Sequence, residues 1–497
     1  MSTEGIEQRA PAPRPAPADV RGAFWTLDRV AEALEGHAIG NAPRGGAPLV
    51  RVWTDTRTIA PGDLFVALRG ERFDAHDYLR AAVDAGAHAL VVSRPEAAAN
   101  LGVPVVVVPD TLVALGRLAN YRRRAWGRTV VGIIGSNGKT STKELLKAAL
   151  GSRLQVHATE GNLNNLVGVP LTLLALPSDA DVALVEMGTN QPGEVARLRD
   201  VVRPDLVVVT SIAEEHLEGL GDLAGVMREE MSGTDGVSLV VAPAAQPEVV
   251  AEARARARRV VGAGLDAPNG TEQAGDLRAS RWEVGPDGLG TLEVEGITIR
   301  PPVRGVHNLR NAMLALAAAR ECGVALEDAA RGIAAMPVPP MRVNFDQLGA
   351  LTLINDAYNA NPGSVRAALE LLEHAGHGRQ RVAVLGTMLE LGAAAPRMHD
   401  ELARAALASP LEIVAGIGEF ALALDRASAD GGTPSSDEVR QRVVTAPDVD
   451  ALWTALAPRL SPDAVVLLKG SRGVRLERLV QPIARWAGVE REAVHAH

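Results

Sequence analysis

Apolar runs alternate with segments of helical length over most of the chain. Five strand-like runs follow residue 128, namely TVVGIIG, LQVHAT, DVALVEMG, DLVVVTSI and VSLVVAP. The alternation restarts after residue 341 with LTLIND, RVAVLGTM, LEIVAGIG and AVVLLKGS. Strands that alternate with helices in this way are typical of parallel, doubly wound sheets. The pattern therefore predicts an α/β protein with two such sheets in succession.

Three stretches differ from this regular pattern. Residues 26–124 mix short strands such as LFVAL with the helical stretch YLRAAVDAGA, which predicts a smaller α/β unit. Residues 277–303 alternate with period two around GPDG, which predicts a small antiparallel element. Residues 1–20 are rich in Pro and Ala and have little apolar surface to bury, so we expect a disordered tail. The predicted domains are 21–127, 128–340 and 341–497.

Composition limits the classes of function. The chain has 497 residues, of which 47% are hydrophobic and 22% charged, as in folded globular proteins. A net charge of −9 argues against nucleic acid or an anionic membrane as the main partner, because such binding depends on cations facing phosphates. The one basic run, 122–124, we interpret as a solvated linker, with a phosphate-facing role as the alternative.

Targeting signals and cysteines indicate the compartment. No apolar run approaches the roughly 18 to 20 residues that cross a bilayer, and the N-terminus lacks a secretory-signal pattern. The single cysteine, Cys322, excludes an intramolecular disulfide. We therefore expect a cytoplasmic protein without membrane insertion.

A glycine-rich turn that contains Lys and Thr lies between the run 129–134 and a predicted helix. It comprises Gly135, Ser136, Asn137, Gly138, Lys139, Thr140 and Ser141. In such a strand, turn and helix, backbone N–H groups and the helix N-terminus face a phosphate, and the lysine neutralises its charge. The strict template has a glycine where this chain has Ile133, so the turn fits a variant. We predict nucleotide binding rather than an ordinary turn, with Lys139 on the outer phosphates and the Thr140 hydroxyl on Mg²⁺.

Two side chains at strand ends extend this site. Glu186 ends one strand-like run, and His216 follows the next one. Taken singly, Glu186 could be a solvated cap and His216 a packed residue. The carboxyl ends of parallel strands share one edge of a sheet, however, which favours a common Mg²⁺ site with Thr140.

An asparagine-rich loop is a candidate for substrate binding. The stretch ATEGNLNN carries Asn162, Asn164 and Asn165. Their uncharged amides both donate and accept hydrogen bonds, which suits a sugar or a peptide. A simple Asn-rich turn is the alternative.

Two further polar loops follow strands of the last domain. Asp356 and Asn359 lie between a strand and a helix that we predict from about Val365, a place where ribose or adenine is often bound. The stretch LLKGSR places Lys469 and Arg472 in a second such loop, for which a basic surface turn is the alternative.

Taken together, these segments resemble the Mur ligases over residues 26–485. The resemblance rests on DTRTIAPGDLFVALRGERFDAHDY, GSNGKTSTKE, GNLNNLVGVPLTLL, EMGTNQPGEVARL, HLEGLG, GVHNLRNA, DAYNANPGS, GTMLELG and LLKGSR. DAYNANP together with GNLNN is the specific pair, because the family member that adds the third amino acid usually has other residues there. The resemblance therefore favours the member that adds D-alanyl-D-alanine.

This resemblance implies three domains and a reaction. An N-terminal domain would bind the UDP end of the substrate, a central P-loop ATPase-like domain would contain a parallel sheet, and a C-terminal Rossmann-like domain would close over ATP. The implied cofactors are ATP and Mg²⁺, and the implied substrates of a chain that we expect to be monomeric are UDP-N-acetylmuramoyl-tripeptide and D-alanyl-D-alanine. The substrate carboxylate would attack the γ-phosphate of ATP, and the dipeptide amine would then attack the acyl phosphate.

The resemblance also implies roles for individual residues. The expected contacts with ATP and a first metal ion are Lys139, Thr140, Glu186, Arg342, Asp356 and Asn359. His216 would serve a second metal ion. The expected contacts with the UDP-peptide are Thr56, Arg57, Thr159, Asn162 and Asn165, and those with the dipeptide are Lys469, Ser471 and Arg472.

The sequence departs from the family at three positions. Where the family usually has a lysine that becomes carbamylated, fourteen residues after the metal-binding histidine, this chain has Glu230. We hypothesise that Glu230, or its neighbour Glu229, supplies the missing carboxylate directly or through a water. The other departures are Thr387, where GDM is usual, and Ser211, where asparagine is common. The predicted catalytic residues are therefore Lys139, Glu186, His216 and Glu230.

Three other interpretations stay open. One is another ligase of the superfamily, either the member adding the third residue or a folylpolyglutamate-like enzyme, against which the GNLNN and DTR motifs argue. A second is a P-loop switch or motor, which would hydrolyse ATP without an acceptor. The third is a binding protein that retains the fold without the chemistry.

Overall fold

Four parallel strands form the first sheet of the computed structural model, which describes residues 24–35, 48–266, 275–285, 287–337, 344–429 and 436–489. In chain order the strands are β1 (Val52–Trp53), β2 (Leu64–Val66), β3 (Ala89–Val92) and β4 (Val105–Val107), and the helices are α1 (Leu27–Ala33), α2 (Leu79–Asp84) and α3 (Thr111–Trp126). Successive side chains of a strand point to opposite faces, so Leu64 and Val66 join one apolar cluster while Phe65 joins another. Helices α1 and α3 contribute to the first cluster and α2 to the second.

Seven parallel strands form the second sheet, and three antiparallel strands follow it. The parallel strands are β5 (Thr129–Ile134), β6 (Val156–Ala158), β7 (Val182–Glu186), β8 (Leu206–Val209), β9 (Leu239–Pro243), β10 (Arg259–Leu265) and β11 (Leu277–Ala279), and the antiparallel ones are β12 (Arg281–Val284), β13 (Gly290–Val294) and β14 (Ile297–Ile299). The order of the large sheet is β11-β10-β9-β8-β5-β7-β6. The strands that follow β5 lie on both sides of it, β6 and β7 on one side and β8 to β11 on the other, which makes the end of β5 the topological switch point where ligands bind in such sheets.

Helices alternate with these strands. They are α4 (Lys139–Gly151), α5 (Gly168–Leu174), α6 (Glu194–Val202), α7 (Leu217–Leu220), α8 (Leu223–Met231), α9 (Pro247–Arg256), α10 (Val306–Glu321) and α11 (Leu326–Ala334). Helix α10 is buried along most of its length, and its small alanine side chains let it lie close to α4 within one apolar cluster. This packing fixes α4, the helix that begins at Lys139.

The third sheet has six strands. They are β15 (Asn344–Leu348), β16 (Leu351–Asp356), β17 (Arg381–Leu385), β18 (Ile413–Ile417), β19 (Val443–Ala446) and β20 (Val465–Lys469), in the order β15-β16-β20-β17-β18-β19 with only β15 antiparallel. The accompanying helices are α12 (Pro362–Ala375), α13 (Ala395–Ala408), α14 (Glu419–Ala429), α15 (Ser436–Arg442), α16 (Val449–Leu456) and α17 (Val480–Trp486). The predicted α/β class is confirmed, with a central parallel sheet, a small antiparallel addition and a Rossmann-like C-terminal sheet.

Helix α12 begins earlier than the sequence pattern predicted. It starts at Pro362 instead of near Val365. Asn361 caps it by accepting the backbone N–H of Ser364, and Pro362 occupies the first helical position, where its missing N–H costs nothing.

The prediction that the basic run 122–124 is a solvated linker was wrong. These residues lie within α3, and Arg123 is buried. Its guanidinium donates to the carbonyl oxygens of Val202 and Arg203, each at 3.1 Å. A cation at this place satisfies carbonyls that the end of α6 leaves without intrahelical donors.

The chain divides into two compact units. The smaller comprises the described parts of Met1–Arg128 together with Thr159–Ala180 and Asp200–Arg203, and the larger contains the second and third sheets. Helix α5 belongs to the smaller unit, where Val167 and Leu174 pack against the core around β2 and β3. The domain boundaries of the sequence analysis stay predictions, and the predicted tail 1–20 lies outside the described residues. No helix in the described part of the chain is long and apolar enough to span a membrane.

Candidate functional site

The turn between β5 and α4 depends on two glycines. Gly135 has a φ of +120° and Gly138 a φ of +85°, conformations that side chains rarely adopt. A Cβ atom on Gly135 would lie 2.4 Å from the Thr210 hydroxyl oxygen, and one on Gly138 would lie 2.6 Å from Asn311 Oδ1. Both glycines are therefore required by conformation and by close packing. The turn, which we call the phosphate loop (residues 135–140), ends at the N-terminus of α4.

Hydrogen bonds join the segment after β8 to the phosphate loop. The Ser136 hydroxyl donates to the Ala213 carbonyl at 3.0 Å and accepts the Ala213 N–H at 2.9 Å. The Ser211 hydroxyl accepts the Asn137 N–H at 3.3 Å and donates to the Asn137 carbonyl at 3.2 Å. Ser211, which departs from the family pattern, thus retains direct hydrogen bonds to the loop.

Lys139 has both carbonyl and carboxylate neighbours. Its ammonium group donates to the Gly135 carbonyl and lies 3.5 Å from the Ser136 carbonyl oxygen. It also lies 4.0 Å from Glu215 Oε1. These contacts keep the cation inside the loop where a phosphate would need it.

Glu215 is a site residue that the sequence analysis missed. It is buried, and burial raises the pKa of Glu215 to about 8, although the Lys139 ammonium opposes that shift. A carboxyl with a strongly shifted pKa beside the lysine of a glycine-rich turn is typical of functional sites. The signal available in the sequence was its position next to His216, which drew attention to the histidine instead.

Thr140 and Glu186 lie together, as the strand-end argument predicted. The Thr140 hydroxyl donates to Glu186 Oε2 at 3.0 Å, and Glu186 is the buried last residue of β7. Ser141 follows within the first turn of α4. The Thr140 hydroxyl and the Glu186 carboxylate are oxygen donors of the kind that bind Mg²⁺ together with a nucleotide. The metal role itself stays a prediction.

His216 faces two carboxylates. It has a φ of +50°, directly before α7, and its Nδ1 is hydrogen-bonded to Glu390 Oε2. Its Nε2 lies 3.8 Å from Glu215 Oε2. Burial lowers the pKa of His216, against the opposing effect of Glu390, so the ring favours its neutral form, which is the form that binds metals.

Glu230 lies behind the phosphate loop. It is fully buried, and its Oε2 accepts the Gly135 N–H at 2.8 Å. Its Oε1 has no hydrogen-bond partner among the described residues. Burial raises the pKa of Glu230, while Lys139 and the Gly135 N–H act in the opposite direction.

Glu229 has a different role. Its carboxylate accepts the Gly193 N–H at 2.6 Å and the Val195 N–H at 2.8 Å, and the Thr189 hydroxyl lies 3.2 Å away. These contacts satisfy backbone donors at the start of α6. Of the two glutamates in the hypothesis, only Glu230 therefore keeps an oxygen free for a further ligand.

The donor set around the phosphate loop fits Mg²⁺. It offers a hydroxyl and a carboxylate side by side, together with the unpartnered Oε1 of Glu230. Within the described ranges, no three His, Cys, Asp or Glu side chains are grouped as ligands around one point. Mg²⁺ commonly binds through one or two carboxylates plus the phosphates of a nucleotide, so such a partial site is what a nucleotide-dependent ion requires.

The ends of β16 and β20 bring the predicted nucleotide and dipeptide loops together. The ammonium group of Lys469 lies 3.0 Å from Asp356 Oδ2 and donates to the Asn359 carbonyl. Lys469 is buried, so these contacts make it a support for the loop 356–361. The Ser471 hydroxyl accepts the Leu389 N–H at 3.0 Å, and the exposed guanidinium of Arg472 lies 5.5 Å from the centre of the Tyr358 ring.

Asn361 joins this loop to the phosphate loop and was not predicted. Its side-chain NH₂ donates to Asn137 Oδ1 at 2.8 Å. The same side chain caps α12. The sequence offered a signal in the NPGS stretch, since Asn before Pro with Ser three residues on is a cap pattern. Arg342, predicted beside the ATP phosphates, lies outside the described residues.

The predicted UDP-peptide contacts lie in the smaller unit. Thr56 and Arg57 belong to a single 3-10 turn, where Asp55 accepts the Arg57 N–H at 3.0 Å and pairs with its guanidinium at 2.7 Å. Because the Arg57 side chain is largely exposed, its guanidinium is accessible to an anionic ligand.

The asparagine-rich loop precedes α5 in the same unit. Thr159 is buried and Asn162 is exposed. Asn165 Oδ1 accepts the N–H groups of Val167 and Gly168 at 3.1 and 2.8 Å, which satisfies donors at the start of α5. Asn165 therefore shapes the loop, and the binding roles of all three residues stay predictions.

Family models match each of the three sheets. The Mur ligase family, catalytic domain matches residues 50–123, the Mur ligase middle domain residues 133–319, and the Mur ligase, glutamate ligase domain residues 341–472. Together these models cover most of the chain.

Individual relatives agree with these models. The chain is 33% identical over 467 residues to the UDP-N-acetylmuramoyl-tripeptide--D-alanyl-D-alanine ligase of Bacillus subtilis (strain 168), covering 92% of this chain and 98% of that protein. A crystal structure of MurF from Acinetobacter baumannii superposes with a TM-score of 0.82 at 29% identity over 93% of this chain and 99% of that one. A MurF ligase from Thermotoga maritima in complex with ADP gives a TM-score of 0.74 at 26% identity over 88% and 98%. The chain therefore belongs to the Mur ligase family.

Proposed function

We propose that the chain is an ATP-dependent ligase that joins D-alanyl-D-alanine to UDP-N-acetylmuramoyl-tripeptide, the last cytoplasmic step in making the peptide of a peptidoglycan precursor. The observation that carries the proposal is the 33% identity, over 92% of this chain, to a ligase with those substrates. The local geometry supports it, because a phosphate loop with a buried carboxylate, Glu186, hydrogen-bonded to its Thr140 hydroxyl suits the binding of a nucleotide and a metal ion for phosphoryl transfer.

The chemistry needs an activated carboxyl group. A carboxylate oxygen of the tripeptide attacks the γ-phosphorus of ATP, the bond to the β–γ bridging oxygen breaks, and ADP leaves. The dipeptide amine then attacks the acyl phosphate, forms the amide bond, loses a proton and expels inorganic phosphate. Both reacting groups are anionic in the first step, so cationic and N–H groups have to offset their repulsion and the charge of the transition state.

Different residues of this chain bind the phosphates, the nucleoside and Mg²⁺. Lys139 and the N–H groups of the phosphate loop bind the β- and γ-phosphates, and the loop 356–361 holds the nucleoside through Asp356 and Asn359. Mg²⁺, held by Thr140 and Glu186 and at a second position by His216 and Glu230, would supply positive charge to the phosphate oxygens when bound.

The substrates are assigned to the remaining polar residues. Thr56 and Arg57 bind the diphosphate of the nucleotide-sugar, and Thr159, Asn162 and Asn165 bind the muramoyl peptide. Arg472 is the exposed cation suited to the dipeptide carboxylate, while Lys469 and Ser471 position its loop. We assign a monomer that acts in the cytoplasm.

The test is reconstitution of the reaction. The purified chain is incubated with ATP, Mg²⁺, UDP-N-acetylmuramoyl-tripeptide and D-alanyl-D-alanine, each component is omitted in turn, and products are weighed by mass spectrometry. We expect the pentapeptide product and ADP only when all four are present. ATP hydrolysis that is independent of both acceptors would instead support a P-loop switch, and ligation of free amino acids to another acid would support a folylpolyglutamate-like ligase.

A further inference from the structure

Two strained residues meet between the second and third sheets of the larger unit. His216 has a φ of +50° and Glu390 a φ of +64°, and neither is a glycine. Side chains in this left-handed region are uncommon and persist where their surroundings hold them, often at functional sites. Among the ion pairs of the described residues, this is the one in which both partners have a positive φ.

The contact is made by backbone as well as side chain. Glu390 Oε2 is hydrogen-bonded to His216 Nδ1, and the Glu390 carbonyl accepts the Glu218 N–H at 3.1 Å. Gly392 permits the approach, because a Cβ atom there would lie 3.2 Å from the Glu218 Cα atom. The segment 390–392 of the third sheet is thus seated directly on the segment 216–218 that follows the second sheet.

The hydrogen bond fixes the histidine. Because Nδ1 is hydrogen-bonded to the Glu390 carboxylate, the ring is oriented with Nε2 on the side away from Glu390. Nε2 lies 3.8 Å from Glu215 Oε2, and Glu215 Oε1 lies 4.0 Å from the Lys139 ammonium. Glu215 therefore lies between His216 and Lys139, within 4.0 Å of each.

We propose that Glu390 is a positioning residue: its carboxylate holds the His216 ring with Nε2 toward the phosphate loop, and does so only while 390–392 is seated on 216–218. A carboxylate that accepts the second N–H of a ligating histidine orients the ring and raises its basicity. Here the carboxylate follows a strand of the third sheet, whereas the histidine follows a strand of the second sheet. Packing of the segment 390–392 on the segment 216–218 therefore also orients the His216 ring. This inference rests on the proposed ligase function.

Three variants of the full chain separate this role from simple packing. Glu390→Ala removes the acceptor, Glu390→Gln keeps an oxygen that can accept the Nδ1 proton, and Glu401→Gln is the matched control, an exposed glutamate on α13 paired with Arg397. Each is assayed for kcat and for KM of both peptide substrates. Hydrogen exchange of the peptide containing the Glu218 amide is measured in parallel without substrates.

We expect Glu390→Ala to lower kcat on the order of 10- to 100-fold with little change in either peptide KM, and Glu390→Gln to recover most of that loss. Exchange of the Glu218 amide should accelerate in Glu390→Ala and stay at the parent level in Glu401→Gln. The exchange measurement needs no bound metal or nucleotide and no turnover.

Several results would overturn the inference. These are a Glu390→Ala variant as active as Glu401→Gln, a Glu390→Gln variant as damaged as Glu390→Ala, or unchanged exchange at Glu218. A parent chain that forms no product would defeat the proposed function instead, and the exchange result would still decide the seating contact. If Glu390→Ala fails to fold, a double-mutant cycle of Glu390→Asp, whose shorter side chain loses the contact with Nδ1, with His216→Gln replaces it, and additive effects would contradict the proposal.

Discussion

Glu229 and Glu230 are neighbours in sequence with different partners. Successive residues of a helix point about 100° apart, so α8 turns Glu229 toward the start of α6 and Glu230 toward the phosphate loop. The motif MREEM was enough to predict a carboxylate at this place. It could not assign the role to one glutamate, because the deciding partners, Gly193 and Gly135, are distant in sequence.

The carboxyl group of Glu230 is expected to matter for turnover. Glu230→Gln keeps an oxygen that can accept the Gly135 N–H but cannot supply a carboxylate to a metal ion. We expect turnover to fall on the order of 10- to 100-fold and the Mg²⁺ concentration for half-maximal rate to rise. Added bicarbonate should have no effect, because no lysine has to be carbamylated. Near-normal turnover with the parent's Mg²⁺ dependence would refute this role, and Glu401→Gln serves again as control.

Asp74 is expected to make the smaller unit sensitive to acid. Burial opposes ionisation, but hydrogen bonds from the His76 N–H, the His76 ring and Arg94 lower the pKa of Asp74 to about 2. Because the folded-state pKa lies below the unfolded value of 3.8, the stabilisation is complete above about pH 4 and is lost as the pH falls toward 2.

The measurement compares the parent with Asp74→Asn, which keeps the cap of the 3-10 turn but not the charge. We expect the variant to unfold at a lower temperature at pH 7 and the two midpoints to converge between pH 4 and 2. A difference that stays constant over this range would show that the charge of Asp74 does not stabilise the fold.

At the level of elements, the sequence pattern predicted that a helix follows the strand but not the residue at which the helix begins. Apolar periodicity placed α12 after a strand, but its first residue is set by Asn361, which both caps the helix and bonds Asn137. Periodicity reports the buried face of a helix, whereas a cap depends on one hydrogen bond. The contact with Asn137 involves residues more than two hundred positions apart and leaves no local trace.

Thr387 supports the start of α14. Its hydroxyl accepts the Glu419 N–H at 3.0 Å, so this departure from the family pattern keeps an oxygen acceptor for that helix. We expect Thr387→Val to reduce the free energy of unfolding by about 0.5–2 kcal/mol, since Val leaves a first-turn N–H without its acceptor. Thr387→Ser, which keeps the hydroxyl, is the matched control in denaturant titration. Equal stability of the Val and Ser variants would contradict the capping role.

For the whole molecule, the order of the strands in the second sheet determines which candidate site residues lie together. The end of β5 lies between those of β7 and β8, so the phosphate loop, Glu186 and the segment before His216 meet at one edge. The alternation of strands and helices predicted parallel sheets, and parallel sheets predicted that strand ends share an edge. Which strands are neighbours could not be predicted from local pattern, because it depends on how the helices pack on both faces. The contact of Glu390 with His216 was missed because it joins two different sheets.

The central claim is that Lys139 in the phosphate loop serves the transfer of a phosphoryl group to a peptide carboxylate. Its most direct test is the rate of pentapeptide formation by Lys139→Ala beside Lys147→Ala, a lysine on the exposed side of the same helix. We expect Lys139→Ala to lose on the order of 100- to 1,000-fold in rate and Lys147→Ala to stay within about twofold of the parent. A Lys139→Ala variant that joined the dipeptide at the parent's rate would contradict the account.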